Sequence, residues 1–284
     1  MSAVGVLVHA SKPAARELAP DVVRWLSERG HEPVLVPQDA EAFGFPEAAA
    51  SPEAFTKLDL LVVLGGDGTM LHGIELAGLA GVPVLGVNLG ELGFLTEVGP
   101  DGVYDALERT LAGDHEIDER STVQAEIRHA DGSVDPLGEA MNEVSVERGV
   151  GGKLVRMTLR IGGQPFTRFG ADGLIVATPT GSTAYAFSMR GPVVSPDLTS
   201  LIVVAVGAHG LFDRPLVVGA DQDVEIEVRF GGRGIVVMDG HPRGEIGEGN
   251  VLRAWVGSST VRLVRLGPDS FFTRVARRFG LPSS

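Results

Sequence analysis

"LVVLGGDGTML", residues 61–71, runs four apolar residues into three glycines wrapped around one aspartate, then resumes an apolar pattern. A short continuous apolar run bounded by glycines reads as a strand buried on both faces. The spacing predicts that this strand finishes at Leu64 and that a helix starts near Thr69. Strand, tight turn and helix in that order form the repeating unit of a parallel sheet.

The same grammar extends to both sides of the stretch. Upstream lie the strand "VGVLVHA" from residue 4, a helix candidate from Pro13 to Arg29 closed by Gly30, and the strand "PVLVP" at 33–37. Downstream lie the strand "VPVLGVN" at 82–88 and a helical stretch around Asp101 to Leu111. Near-continuous apolar strands alternating with helices predict a parallel sheet covered on both faces.

After about residue 120 the pattern changes. "VQAEIRH", "VSVER", "VRMTLRI", "VEIEVRF", "GIVVMDG" and "VRLVRL" mostly alternate apolar with polar residues between Gly-rich turns, which predicts antiparallel, half-exposed strands. The expected fold is an α/β N-terminal domain with a parallel sheet (1–118) and a β-rich, antiparallel, sandwich-like C-terminal domain (119–267). The closing segment 268–284 returns to helical spacing and is able to pack back on the first domain.

Composition narrows the function. The 284 residues carry a formal charge of −13, 44% apolar and 21% charged residues, and no cysteine. Nucleic-acid binders neutralise phosphates with a dense basic face, so the acidic balance argues against that class. The absence of cysteine excludes disulfides, a thiol nucleophile and cysteine zinc sites. The longest apolar runs, such as "LIVVAV" at 201–206, fall well short of the roughly 18 residues that span a bilayer. No signal peptide is legible at "MSAVGVLVHASKP", so a cytoplasmic location without membrane contact is the expectation.

In open parallel sheets, ligands collect at the carboxyl ends of the strands. Gly65, Gly66 and Gly68 sit at such an end, able to take backbone angles closed to other residues and to admit a ligand close to the main chain. The helix start beyond them offers free N–H groups and a positive dipole end, a natural seat for phosphate. Asp67 there suits a metal ligand or a base; taken alone, such a turn is more often an aspartate capping its helix. A Walker loop does not fit around Lys153, where Glu147 and Leu154 stand at required Gly and Ser/Thr positions. The dinucleotide fingerprint starting at Gly66 fails because Leu71 replaces its third glycine.

"GADGLIVATPTGSTAYAFS", residues 170–188, is a second candidate site. Its strand breaks at Pro179, and Thr180, Gly181, Ser182 and Thr183 bring hydroxyls and N–H groups to a short helical start. In "MNEVSVER", Asn142 and Glu143 are neighbours at a strand start, and both reach one pocket only where the backbone bends. An exposed strand start is the plainer reading of that pair.

Taken in order, "LGGDGTML" at 64–71, "NLGELGFLTE" at 88–97, "NEVSV" at 142–146 and "DGLIVATPTGSTAY" at 172–185 resemble the NAD kinase family. "AHGLFDRPLVV" at 208–218 and "FFTRVARRFGLP" at 271–282 extend the resemblance over nearly the whole chain. The Gly-Asp-Gly turn alone is shared with diacylglycerol and sphingosine kinases and with phosphofructokinases; its combination with "TPTGSTAY" is far more specific.

The resemblance implies transfer of the terminal phosphoryl group of ATP, or of polyphosphate, to the 2′-hydroxyl of the adenosine ribose of NAD. It implies an active site between the two domains, a divalent cation such as Mg²⁺, and a homodimer or homotetramer. It assigns Asp67 as catalytic base, with Gly66 and Gly68 in the nucleotide-binding turn and His72 suited to a phosphate. Phe94 is similar to the aromatic that packs on the adenine of NAD, and Asn142 and Glu143 match the pair that holds its ribose hydroxyls. Arg156, Asp172, Thr183, Ala184, Tyr185, Ala186, Phe187, Ser188 and His241 fall at further NAD contacts, although His241 replaces a frequent glutamine and Gly170 stands where some members carry arginine. No metal-ligating residue is assigned. The rival readings are a lipid kinase, for which the acidic composition offers no membrane face, and a nucleotide sensor without catalysis.

Overall fold

The structure, a computed structural model, describes residues 1–9, 11–90, 93–149, 154–208, 214–229 and 233–282. Lys153, Phe230, residues 91–92 of the 88–97 motif and residues 209–213 of the 208–218 motif lie outside them. The chain divides into two compact units, Met1–Glu119 with Val261–Ser284, and Arg120–Thr260.

The first unit opens with β1 (Ala3–Val8), α1 (Pro13–Glu28), β2 (Glu32–Val34), α2 (Pro37–Phe43), β3 (Leu60–Gly65), α3 (Asp67–Leu76), β4 (Pro83–Asn88) and α4 (Val103–Leu111). The second contains most of β5 (Glu116–Arg128), then β6 (Val134–Ala140), β7 (Glu143–Arg148), β8 (Val155–Ile161), β9 (Gln164–Ala171), β10 (Gly173–Ala177) and the short α5 (Tyr185–Ser188). It continues with β11 (Ser200–Val206), β12 (Leu216–Gly219), β13 (Val224–Val228), β14 (Gly234–Met238), β15 (His241–Ile246) and the first part of β16 (Val251–Arg265). The end of β16 and α6 (Phe271–Arg278) belong to the first unit.

In the first unit the strand order is β2-β1-β3-β4-β16, parallel throughout. Val4, Val6 and Val8 of β1 share a buried cluster with Ala15, Ala19, Val22 and Leu26 of α1 and with Val103 and Leu107 of α4. The opposite face receives α3, whose Gly73 lies so close that an added Cβ would meet Val63, Leu61 and Leu7. Helices therefore cover both faces, and the fully buried run Leu60–Gly65 is the consequence.

The second unit is a sandwich of antiparallel strands. One sheet runs β12-β11-β10-β7-β14-β15, and the other contains β16-β13-β8-β9 with β5 and β6 joined to it through β16. Their inner faces share one core that includes Val144, Val146, Met157, Leu174, Ile226, Val236 and Leu252. The α/β and β-rich halves thus follow the sequence pattern.

Three local expectations are corrected. "VRLVRL" is not an antiparallel strand: β16 pairs antiparallel with β13 at Ala254 but parallel with β4 at Arg262 and Leu263, because one long strand changes partners along its length. "VSVER" is central in its sheet, and Glu143 to Val146 are buried on both faces rather than half-exposed. The helix after the glycine turn starts at Asp67, two residues ahead of Thr69, and its strand reaches Gly65.

Candidate active site

The chain leaves β1 toward β2 on one side and toward β3 on the other, so the strand order reverses at the β1/β3 boundary. Such a reversal opens a crevice at the carboxyl ends of the strands. A cavity of about 900 Å³ lies there, lined by Val8 at the end of β1 and His9 just past it, Val36 and Gln38 past β2, and Gly66, Gly68, Thr69 and His72 past β3. Lys12 and Arg16 line it too, bringing two cations to one wall in a chain that is acidic overall. Burial raises the Asp39 carboxyl in the same wall, with the Arg16 charge opposing.

None of Gly65, Gly66 and Gly68 has a positive φ, so the expectation of unusual backbone angles does not hold. Of the three, space within the protein requires only Gly65. A Cβ at Gly65 would strike the Thr69 side chain, whereas nothing lies within 4 Å of one at Gly68. At Gly66 the nearest group is Lys12 Nζ, 4.0 Å from the Cβ position. Lys12 therefore stands over the turn, beside the N-terminus of the ten-residue helix α3, and together they make a seat for phosphate.

Asp67 does not cap its helix. Gly66 occupies the cap position, and the Asp67 carboxylate instead accepts the backbone N–H of Phe94 at Oδ2 (3.0 Å) and of Leu95 at Oδ1 (3.0 Å). Each oxygen keeps acceptor capacity beyond its one N–H bond. The carboxylate is thus aimed by a loop 27 and 28 residues further along the chain. Gly93 makes this approach possible, since a Cβ there would overlap the Asp67 carboxyl group. The Phe94 ring is half-buried and sits 6.2 Å from Phe271 and 6.3 Å from Phe279.

The second unit brings Asn142, Glu143 and His241 together at an aspartate outside the predicted set. Asp239 (φ 46°) and Gly240 (φ 82°) form the β14–β15 turn. The Asp239 carboxylate accepts the N–H groups of Met141 (2.7 Å), Asn142 (2.8 Å) and Glu143 (3.0 Å). Three successive N–H groups converging on one carboxylate supply the bend that the Asn142–Glu143 pair requires. The signal for it was "DG" between two strands, the dipeptide of tight hairpins; His241 follows it directly.

Glu143 is 8% exposed, and its Oε2 has no hydrogen-bond partner among the described residues. Burial first, then the charge of Asp239, pushes its carboxyl up to about 8; the Tyr185 N–H pulls it down and Glu147 adds a smaller push. Burial, followed by the charges of Glu147, Glu143 and Asp172, likewise raises the Tyr185 phenol. Glu143, Tyr185 and Asp172 therefore share one electrostatic neighbourhood, in which Asp172 is also paired with Arg148 at 2.9 Å.

The hydroxyls of the 180–183 run serve the fold more than a ligand. Ser182 is fully buried and bonds both Val194 N–H and its carbonyl, Thr183 donates to the Thr180 carbonyl, and Thr180 accepts from Arg120. Gly181 packs so tightly on the Asn142 backbone that no Cβ fits. Thr183, Ala184 and Tyr185 are half-buried, Phe187 and Ser188 exposed, and Ala186 is fully buried in the core with Ile175 and Ile202. Ala186 thus offers a ligand its backbone at most. Arg156 lines a different hollow, of about 380 Å³, with Arg168, Arg229 and Gly170.

Comparison with known proteins accords with this arrangement. Residues 4–115 match the ATP-NAD kinase N-terminal domain and 141–266 the ATP-NAD kinase C-terminal domain. The chain is 41% identical over 278 residues to the NAD kinase of Heliobacterium modesticaldum, covering 96% of each, and 38% identical over 285 residues to NAD kinase 2 of Streptomyces avermitilis, covering 98% of this chain and 94% of the relative. Among solved structures, yeast NADH kinase complexed with NADH matches in fold with a TM-score of 0.91 at 24% identity, covering 100% of this chain and 89% of that one. An NAD kinase from Archaeoglobus fulgidus in complex with ATP matches with a TM-score of 0.77 at 25% identity, over 100% of both chains.

Proposed function

The chain belongs to the NAD kinase family, and we propose that it transfers the terminal phosphoryl group of ATP to the 2′-hydroxyl of the adenosine ribose of NAD. Asp67 acts as the base. Its carboxylate takes the proton from the 2′-hydroxyl as that oxygen bonds to the γ-phosphorus and the bond to the β-phosphate oxygen breaks, releasing ADP and NADP. The observation that carries this reading is the Asp67 carboxylate, fixed by two N–H groups yet still able to accept, in the turn whose flanking Gly66 and Gly68 line the cavity.

Phosphoryl transfer is mostly positioning and charge neutralisation. Lys12, Arg16 and the N-terminus of α3 supply positive potential for the donor phosphates, His72 lines the same cavity, and the open faces of Gly66 and Gly68 admit the phosphates to the main chain. Asn142 and Glu143 hold ribose hydroxyls, for which the unpartnered Glu143 Oε2 is the acceptor. Tyr185, Asp172, Thr183, Ala184 and His241 complete the NAD contacts. Among the described residues no group of three His, Cys, Asp or Glu side chains is placed to hold a metal ion. A divalent cation arriving with the donor would supply further charge neutralisation beside Lys12, Arg16 and the N-terminus of α3. We assign the enzyme to the cytoplasm and a homodimer or homotetramer; no helix among the described residues is long and apolar enough to cross a membrane.

Replacement Asp67→Asn tests the role of the base. A general base contributes about 10² to 10⁴ in rate, so kcat/KM for NADP formation should fall at least to the lower end of that range while NAD still binds by calorimetry. Near-normal NADP production by the purified variant would overturn the assignment.

A further inference from the structure

The loop that aims Asp67 is gripped from behind by charges that are almost wholly buried. Arg265, at the end of β16, reaches the Phe94 carbonyl through NH2 (3.4 Å) and the Leu95 carbonyl through NH1 (3.4 Å). Arg274, on α6, donates to the Thr96 carbonyl (2.5 Å) and to Glu97 Oε2 (2.6 Å). Glu97 also takes Arg265 NH1 at 3.1 Å and the Leu266 N–H at 2.8 Å, and Asp118 takes Arg265 Nε at 3.0 Å. The side chains of Glu97, Arg274 and Arg265 are 4%, 5% and 10% exposed.

One peptide unit joins this network to the catalytic group. The Phe94 carbonyl and the Leu95 N–H belong to the same planar amide, and that plane turns only as a whole. Its oxygen is held by Arg265, and its N–H points at Asp67 Oδ1. Tilting the plane at one end therefore re-aims the carboxylate at the other.

Anchoring α6 alone does not call for so many buried charges. Phe271 and Phe279 already pack α6 against Phe94, and well-packed apolar groups hold an element as firmly as a buried ion pair does. What the guanidinium forks add is direction, because each fixes named carbonyls at set angles. Burial, with the Arg265 charge adding to it, weakens the hold of Arg274 on its proton, and Glu97 counteracts this.

We propose that Arg265, braced by Glu97 and Arg274, is a positioning residue for phosphoryl transfer, acting on Asp67 through the Phe94–Leu95 peptide. The proposal rests on the reading of Asp67 as base. The replacement Arg265→Lys keeps the charge and removes the fork. Since a misplacement of about 1 Å can cost 10²-fold, kcat should fall by about tenfold or more, with KM for ATP unchanged. Arg274→Lys should act in the same direction, and it carries the test if Arg265→Lys does not fold.

The decisive measurement is a double-mutant cycle with Asp67→Asn. Residues acting as one unit are non-additive, so Arg265→Lys should bring no further loss of kcat once the carboxylate is gone. A full additional loss in that background, or an unchanged kcat in Arg265→Lys alone, overturns the proposal. The Leu95 amide resonance in each variant separates the two ideas. If Asp67→Asn keeps near-normal activity, the base assignment fails; a Leu95 amide that moves in Arg265→Lys still shows the peptide being steered, and one that stays put refutes the steering itself.

Discussion

Gly93 has no Cβ to collide with the Asp67 carboxylate, and that absence lets the carboxylate reach two backbone N–H groups. Replacement Gly93→Ala forces either the loop or the carboxylate to move. Because near-attack geometry is lost with small displacements, kcat should fall on the order of 10²-fold. Gly93 lies outside the helices and strands, so the melting temperature should change little. Steady-state kinetics beside a thermal melt checks both halves; a variant with wild-type kcat would show that the carboxylate is not held where this reading needs it. At this scale the sequence disclosed Asp67 through its glycines, but not the partners of its carboxyl group. Those lie in a loop far along the chain, and no local pattern encodes such a meeting. Asp239 was hidden for the same reason: "DG" announces a turn, not the three N–H groups that converge on its side chain.

Among the elements, continuous apolar runs gave away the parallel strands β1, β3 and β4, and alternation gave away most of the sandwich. Where one strand pairs antiparallel along one stretch and parallel along another, as β16 does, alternation alone misleads about direction. Ligands gather at the carboxyl ends of parallel strands, and the β1–α1 connection is such an end beside that of β3. "HASKP", at the end of β1, places His9 and Lys12 in the same cavity as the glycine turn. Charge-assisted hydrogen bonds contribute about 1.5–3 kcal/mol, so Lys12→Met should raise KM for ATP by roughly tenfold or more and leave the Kd for NAD unchanged. Initial rates with ATP varied, and calorimetry with NAD, test this. An unaltered KM for ATP would remove Lys12 from the donor site.

The molecule as a whole couples its stability to pH through the buried Glu143. Its carboxyl, pushed up to about 8 chiefly by burial and by the charge of Asp239, holds a proton in the folded chain that the unfolded chain has already released at neutral pH. Between the ordinary value of 4.5 and about 8 the folded state therefore binds more protons than the unfolded state, and stability falls as pH rises. The stabilising contribution is complete below the ordinary value, declines through the window and is gone above about 8. Glu143→Gln stays neutral at every pH and removes this slope. The difference in unfolding free energy between wild type and Glu143→Gln should then turn against the wild type across the window by on the order of a few kcal/mol. Denaturant titrations at several pH values from 4 to 9 measure it, and subtracting the two proteins cancels Asp39, whose carboxyl is raised in the same direction. A constant difference across that range would mean that Glu143 is ionised in the folded chain, and its Oε2 would then meet the ribose as a charged acceptor rather than as part of a protonated carboxyl.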